Sequence, residues 1–221
     1  MNEKQAILEF LKELSLNNTK EWMDANRNKY TQAKACWLEQ IEQILLRLNK
    51  HDAQLFGNVE PKNCISRITN NRIFRPDLPI YRDFFTFSVM DKSDIFSPLH
   101  LSVGVGESFV GCGYHNPEKQ TLKNIRDAID YEGHTLHEIL ENPPFKQFFG
   151  GLSNFTEPLK TSPKGYDKDH QYVEYLRYKN FTVARNLSHD EILGNNFIDL
   201  IEEAFVLSAP FREFLKKANS F

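Results

Sequence analysis

The sequence predicts an α+β fold: a mainly antiparallel sheet flanked by helices, with a long N-terminal helix packed on it. Three observations predict this. Apolar residues recur at helical spacing over residues 3–49, the rhythm changes to alternation around residues 85–105, and helical spacing returns after residue 117. Strands adjacent in sequence, joined by turns and bracketed by runs of helices, make an antiparallel sheet rather than alternating crossover units.

Ile7, Leu8, Leu11 and Leu14 share one face and place a helix at 3–15. In NNTKEW, Asn18 is expected to cap the next helix, with Glu21 three residues on closing a capping box. Trp22, Ala25, Tyr30, Ala33, Trp37, Ile41, Ile44, Leu45 and Leu48 carry that helix to residue 49. At about 1.5 Å per residue it would be roughly 45 Å long. A strand is expected at 63–69. Phe85, Phe87 and Val89 alternate with Thr86 and Ser88, which predicts a strand at 84–91.

Leu99, Leu101, Val103 and Val105 alternate with His100 and Ser102, and GVGESF supplies a turn, so 98–105 and 108–114 form a hairpin. Gly104, Gly106, Gly111 and Gly113 are dense for strands and mark a bulge or the close approach of another group. Helices follow at 117–130 and 134–141. The stretch PKGYDKDHQYVEYLRYKNFTVARNL reads as turn, short helix and a strand at 180–186. Ser188 and Glu191 form a capping box for a helix running to about residue 207, and Pro210 opens the last helical piece.

The chain has 221 residues, 40% of them hydrophobic, and 18 phenylalanines, enough for a sizeable core; residues 1–221 are expected to form one domain. The net charge of -3 and a pI near 6.2 give no overall positive field, so nucleic acid is not an expected partner. Any basic site must be local. Cys36, Cys64 and Cys112 are scattered, without a CxxC pair, which suits reduced thiols in a cytoplasmic protein. The N-terminus has early acids and no long apolar stretch before a cleavage site, so no signal peptide is expected. No apolar run approaches the roughly 20 residues a membrane span requires, and no membrane partner is expected.

The segment CISRITNNRIFRPDLPIYRDFF, residues 64–85, concentrates Arg67, Arg72, Arg75 and Arg82 between two apolar runs. Guanidinium forks suit phosphate and carboxylate, prolines stiffen the loop, and Tyr81 offers a hydroxyl or a stacking face. The plainer reading is a surface loop whose arginines pair with Asp77 and Asp83.

In GYDKDHQYVEYLRYKNF, Asp167 or Asp169 can cap the short helix. His170 is the leading proton-transfer candidate, and Arg177 with Lys179 would form a second cationic wall. The plainer reading there is a capped helix with a solvated basic end. His100 and Ser102 can floor a pocket or simply bond within a half-buried sheet. His134, His137 and Glu138 lack metal-site spacing and read as a solvated helix face, and Cys112 as a small core residue. No phosphate loop, dinucleotide fingerprint or nucleophile elbow occurs.

NNTKEWMDANRNKY, the arginine-rich stretch, SFVGCGYHNPE and GYDKDHQYVEYLRYKNFTVAR resemble, in that order, an uncharacterised bacterial family, domain of unknown function (DUF) family 2461. Its signature reads approximately RxxRDxRFxxDKxPYKTH. Arg67, Phe74, Asp77 and Tyr81 fall in register, and Arg82 stands where the family has lysine. Asn70 and Asn71 replace an Arg-Asp pair, and Ile73, Leu78, Ile80 and Phe84 replace arginine, lysine, proline and histidine. Gly165, Asp167, His170, Arg177, Lys179 and Arg185 fall where the resemblance implies them.

Residues and resemblance together give one expected function. A small anionic ligand would be held by Arg67, Arg72, Asp77, Tyr81, Arg82, Arg177 and Lys179, with no cofactor or metal. The alternative is a non-catalytic module for a protein or nucleic-acid partner. The two expected walls are residues 67–82 and 165–185.

Overall fold

The computed structural model describes residues 3–89 and 95–220. Four strands form one antiparallel sheet in the order β1-β2-β3-β4: β1 Phe84–Val89, β2 Phe96–Gly104, β3 Ser108–Tyr114 and β4 Phe181–Leu187. The hairpin, the last strand and the antiparallel sheet match the sequence expectation. The first strand matches as far as Val89; residues 90 and 91 lie outside the described residues. The chain divides into two compact units, Met1–Val89 with His100–Val110 and Asn186–Glu203, and Met90–Leu99 with Gly111–Arg185 and Ala204–Phe221.

In the first unit, α1 (Glu3–Leu16) packs against α3 (Arg27–Leu48), and α3 lies on β1. Trp37 of α3 stacks on Phe85 of β1 with ring centroids 6.1 Å apart, and Phe10 of α1 meets the same ring at 6.3 Å. Trp37, Ile41, Ile44, Leu48 and Phe87 are fully buried, and each such side chain contributes about 2–3 kcal/mol.

The long helix is shorter than expected. Residues Lys20–Ala25 form a separate helix, α2, and the chain bends at Asn26, where φ is -111° and ψ is 23°. Asn26 bonds back to the Trp22 carbonyl with both its backbone N–H (3.0 Å) and its side-chain amide (2.9 Å), which closes α2 locally. The expected cap is also corrected: Thr19 caps α2, accepting from Trp22 N–H at 3.2 Å, and Asn18 is engaged elsewhere. A short helix, α4 (Ala53–Phe56), follows, and residues 63–69 contribute bridges to Phe87 and Tyr81 rather than a fifth strand of the sheet. The Ser188–Glu191 capping box forms as expected, opening α8 (His189–Leu193), which ends at Gly194 instead of continuing.

In the second unit, the two expected helices 117–130 and 134–141 form as two helical segments that meet at a kink within α5 (Lys119–Glu141). Glu132 leaves helical geometry with φ -131° and ψ 37°. It packs against α6 (Pro143–Phe149), α7 (Val173–Leu176) and α10 (Ala209–Ala218). The stretch Phe197–Leu207 forms α9, of which residues 197–203 belong to the first unit. The glycine-rich third strand is explained by β4. At Gly113, where φ is +119°, a Cβ would sit 2.1 Å from the Phe181 carbonyl oxygen, so only glycine fits there. No helix among the described residues is long and apolar enough to cross a membrane.

Candidate functional site

The arginine-rich stretch folds back on itself as an irregular hairpin in the first unit. Arg82 N–H donates to Ile68 O at 2.7 Å, Asn70 N–H to Ile80 O at 3.0 Å, and Asn70 Nδ2 to Pro79 O at 2.9 Å. Thr69 and Tyr81 form an antiparallel bridge. At the tip, Leu78 N–H donates to Arg75 O and Ile73 N–H to the Asn71 side chain, so the loop is held by its own turns. Asn18 fastens its base through Tyr81, which is buried. The Tyr81 side chain therefore belongs to the packed base of the hairpin, not to its exposed face.

The arginines differ in what they are already doing. Arg67 is exposed and makes no hydrogen bond or ion pair with any described residue. Arg72 is exposed, with Nη2 donating to Pro76 O at 2.7 Å. Arg75 grips Asp77 at two points, Nη2 to Oδ2 at 2.9 Å and Nε to Oδ1 at 3.1 Å. Those bonds hold the Asp77 carboxyl below its ordinary range. Arg82 is half-buried, bonded to Asn70 Oδ1 at 3.2 Å and lying over the Phe84 ring. Between Arg72 and Arg75 the tip presents Ile73 and Phe74, 79% and 87% exposed.

The 165–182 segment belongs to the second unit and is laid along one face of α5. Tyr166 donates to Asp127 Oδ1 at 2.7 Å. His170 Nε2 lies 3.4 Å from Asp130 Oδ1, the Tyr172 ring covers Gly133, and Tyr175 OH meets His137 Nδ1 at 2.8 Å. Positions 127, 130, 133 and 137 follow the helical repeat, so one stripe of α5 receives the whole strap. Arg126 completes it by donating to the carbonyls of Leu176 (2.9 Å) and Tyr178 (3.0 Å).

Burial and the neighbouring carboxylate push the Tyr166 hydroxyl pKa up. Burial would raise Asp127, but its bonds from Lys123 and Tyr166 outweigh that and lower it.

Both ring nitrogens of His170 are engaged, since Nδ1 also accepts from Tyr172 N–H at 3.1 Å. Arg177 pairs with Glu174 at 2.8 Å, while its buried Nε has no hydrogen-bond partner among the described residues. Lys179 is half-buried and makes no hydrogen bond or ion pair with a described residue. Residues 153–159 run antiparallel beside 177–182, with Ser153 N–H on Thr182 O and Leu159 N–H on Arg177 O. Sequence reasoning missed the role of His137, which looked like part of a solvated face; nothing local marks a partner as far away as Tyr175.

The other candidates have packing roles. His100 stacks on Phe109 at 5.5 Å and Ser102 is buried. All three cysteines are free and buried, and burial pushes the Cys64 and Cys112 thiols up to about 11, which suppresses the nucleophilic thiolate. A hollow of about 420 Å³ lies beside the kink in α5, lined by Asn124, Asp127, Ala128, Tyr131, Glu132 and Lys217.

The resemblance read from these segments is matched by a family model. The model described as a conserved hypothetical protein (DUF2461) matches residues 6–214, which takes in both segments. The chain belongs to the DUF2461 family. No curated protein and no solved structure matches it. Within this DUF2461 member, Asn70, which departs from the signature, is a structural fixture bonded to Ile80, Pro79 and Arg82. Phe74, which conforms to the signature, stands exposed.

Proposed function

We propose that this DUF2461 protein binds an anionic group, phosphate or carboxylate, on the arginine hairpin, with Arg67 as the principal contact and Arg72 beside it. The observation that carries this reading is Arg67 itself: an exposed guanidinium, without a partner among the described residues, on a hairpin whose backbone is already fixed. A planar donor fork suits either oxyanion, and a preformed loop costs little ordering entropy on binding. Asp77 does not oppose the anion strongly, because Arg75 neutralises it. Arg82 is a further candidate contact on the hairpin; in the second unit, taken by itself, Arg177 and Lys179 are separate candidate anion contacts and His170 a candidate for proton transfer. Titrating inorganic phosphate while following thermal unfolding tests the reading: the midpoint rises by mass action, and Arg67→Met removes most of that rise. An unmoved midpoint overturns it.

The second reading is a non-catalytic module that docks a larger partner. It is favoured by Ile73 and Phe74, whose exposure a small anion does not explain.

A further inference from the structure

We propose that the hairpin tip docks on an anionic lipid surface, with Ile73 and Phe74 entering the headgroup boundary and the arginines meeting lipid phosphates. This rests on the anion-binding reading and names the source of the anion. Two large apolar side chains stand side by side at the end of a loop, with a guanidinium on either side of them in sequence. Phenylalanine at an interface with arginines beside it is the composition that lets a segment lie on a membrane, apolar groups in and cations against the headgroups.

Charge supports the lipid over a bare apolar contact. Residues 64–83 carry four arginines and two aspartates, +2, while the whole chain carries -3, so the remainder carries -5. The hairpin segment is thus net positive within a chain whose remainder is net negative, and its cations flank the apolar tip. The loop's own bonds (Arg72 to Pro76 O, Arg75 to Asp77, Asn71 to Ile73 N–H) hold the tip in shape before contact.

A protein partner fits this tip less well. A standard protein interface buries about 800 Å² on each side with roughly 20–30 residues, and its anchors sit inside a ring of supporting contacts. Residues 71–79 are nine positions of open loop. A bilayer supplies its own surroundings and needs no matching pocket. The sequence expectation of no membrane partner rested on the lack of a spanning run, which docking by two side chains does not require.

The test is flotation of the full chain with vesicles of phosphatidylcholine alone and of phosphatidylcholine mixed with phosphatidylserine, at low and high salt. Binding is expected to the mixed vesicles, to weaken with salt, to fall about tenfold for Phe74→Ser and to vanish for the Ile73→Ser, Phe74→Ser double variant. No binding to the mixed vesicles overturns the proposal, as does binding that survives the double variant. A protein captured through Phe74 by a chain that ignores vesicles overturns it too. The phosphate-dependent unfolding midpoint, read on the same preparation, separates the two readings. If that shift persists without vesicle binding, only the membrane inference falls. If both are absent, the anion reading falls with it.

Discussion

Asn18 and Tyr81 exchange two hydrogen bonds, each 2.8 Å: Asn18 Nδ2 donates to Tyr81 O, and Tyr81 N–H donates to Asn18 Oδ1. This amide mimics a neighbouring strand and anchors the arginine hairpin to the turn before α2. Asn18→Ala leaves a donor and an acceptor of a buried residue unpaired, so a loss of about 2–4 kcal/mol is expected. For a chain of this length that is a fall in the unfolding midpoint of roughly 5–12 °C, read by calorimetry. A drop under a degree contradicts the anchoring role.

Gly133 is the second position where a small change should tell. A Cβ there would lie 2.4 Å from Tyr172 Cδ2 and 2.8 Å from Cγ, next to the Glu132 kink. Alanine gains about 1 kcal/mol in helix propensity, but overpacking costs about 1–3 kcal/mol, so Gly133→Ala should be net destabilising. The Gly133→Ala, Tyr172→Ala pair should be less destabilising than the sum of its singles, since removing the ring removes the clash. Denaturant titration of the four chains checks this; additive effects mean the ring is not the obstacle.

These two positions show which parts of the fold local sequence carries. Alternation around Leu99–Val105 and the Ser188–Glu191 pair act within a few residues, and both emerged as read. The break at Asn26 did not, because the apolar rhythm from Trp22 to Tyr30 continues through it and only backbone geometry records the bend. By type Asn18 is the better cap and Thr19 an acceptable one; what assigns Asn18 elsewhere is a partner 63 residues away. The site follows the same rule. The arginine block was legible as a cationic cluster, yet which arginine is free depends on Asp77 folding under Arg75 and on Pro76 facing Arg72. The clasp of His170 on Asp130 is likewise a tertiary fact.

Alkaline pH should destabilise the protein. Burial raises the Cys64 and Cys112 thiols from 9.0 to about 11, so the folded chain holds these protons more tightly than the unfolded chain. Their contribution is complete below pH 9 and is lost as pH rises towards 11, a few kcal/mol in total at about 1.4 kcal/mol per unit. Tyr30, Tyr175 and Tyr178, also raised by burial, act in the same direction above pH 10. Denaturant midpoints should therefore fall between pH 9 and 11, and less steeply in Cys112→Ala. A flat profile over that range would falsify the burial argument.

The geometry of His170, the proton-transfer candidate, predicts a structural effect as the principal result of removing it. Nδ1 accepts from Tyr172 N–H at the entry to α7, as a cap does, and Nε2 faces Asp130, which is 53% exposed. The capping bond is the stronger of the two, because a 3.4 Å contact to an exposed carboxylate contributes little. His170→Ala should cost about 1 kcal/mol, a midpoint fall of about 2–4 °C. Asp130→Asn should cost a few tenths of a kcal/mol or less. In hydrogen exchange, the amides of Tyr172 and the α7 turn should lose protection in His170→Ala, and the arginine hairpin should keep its own. If Asp130→Asn proves as damaging as His170→Ala, the Asp130 contact holds the strap and the capping account is wrong.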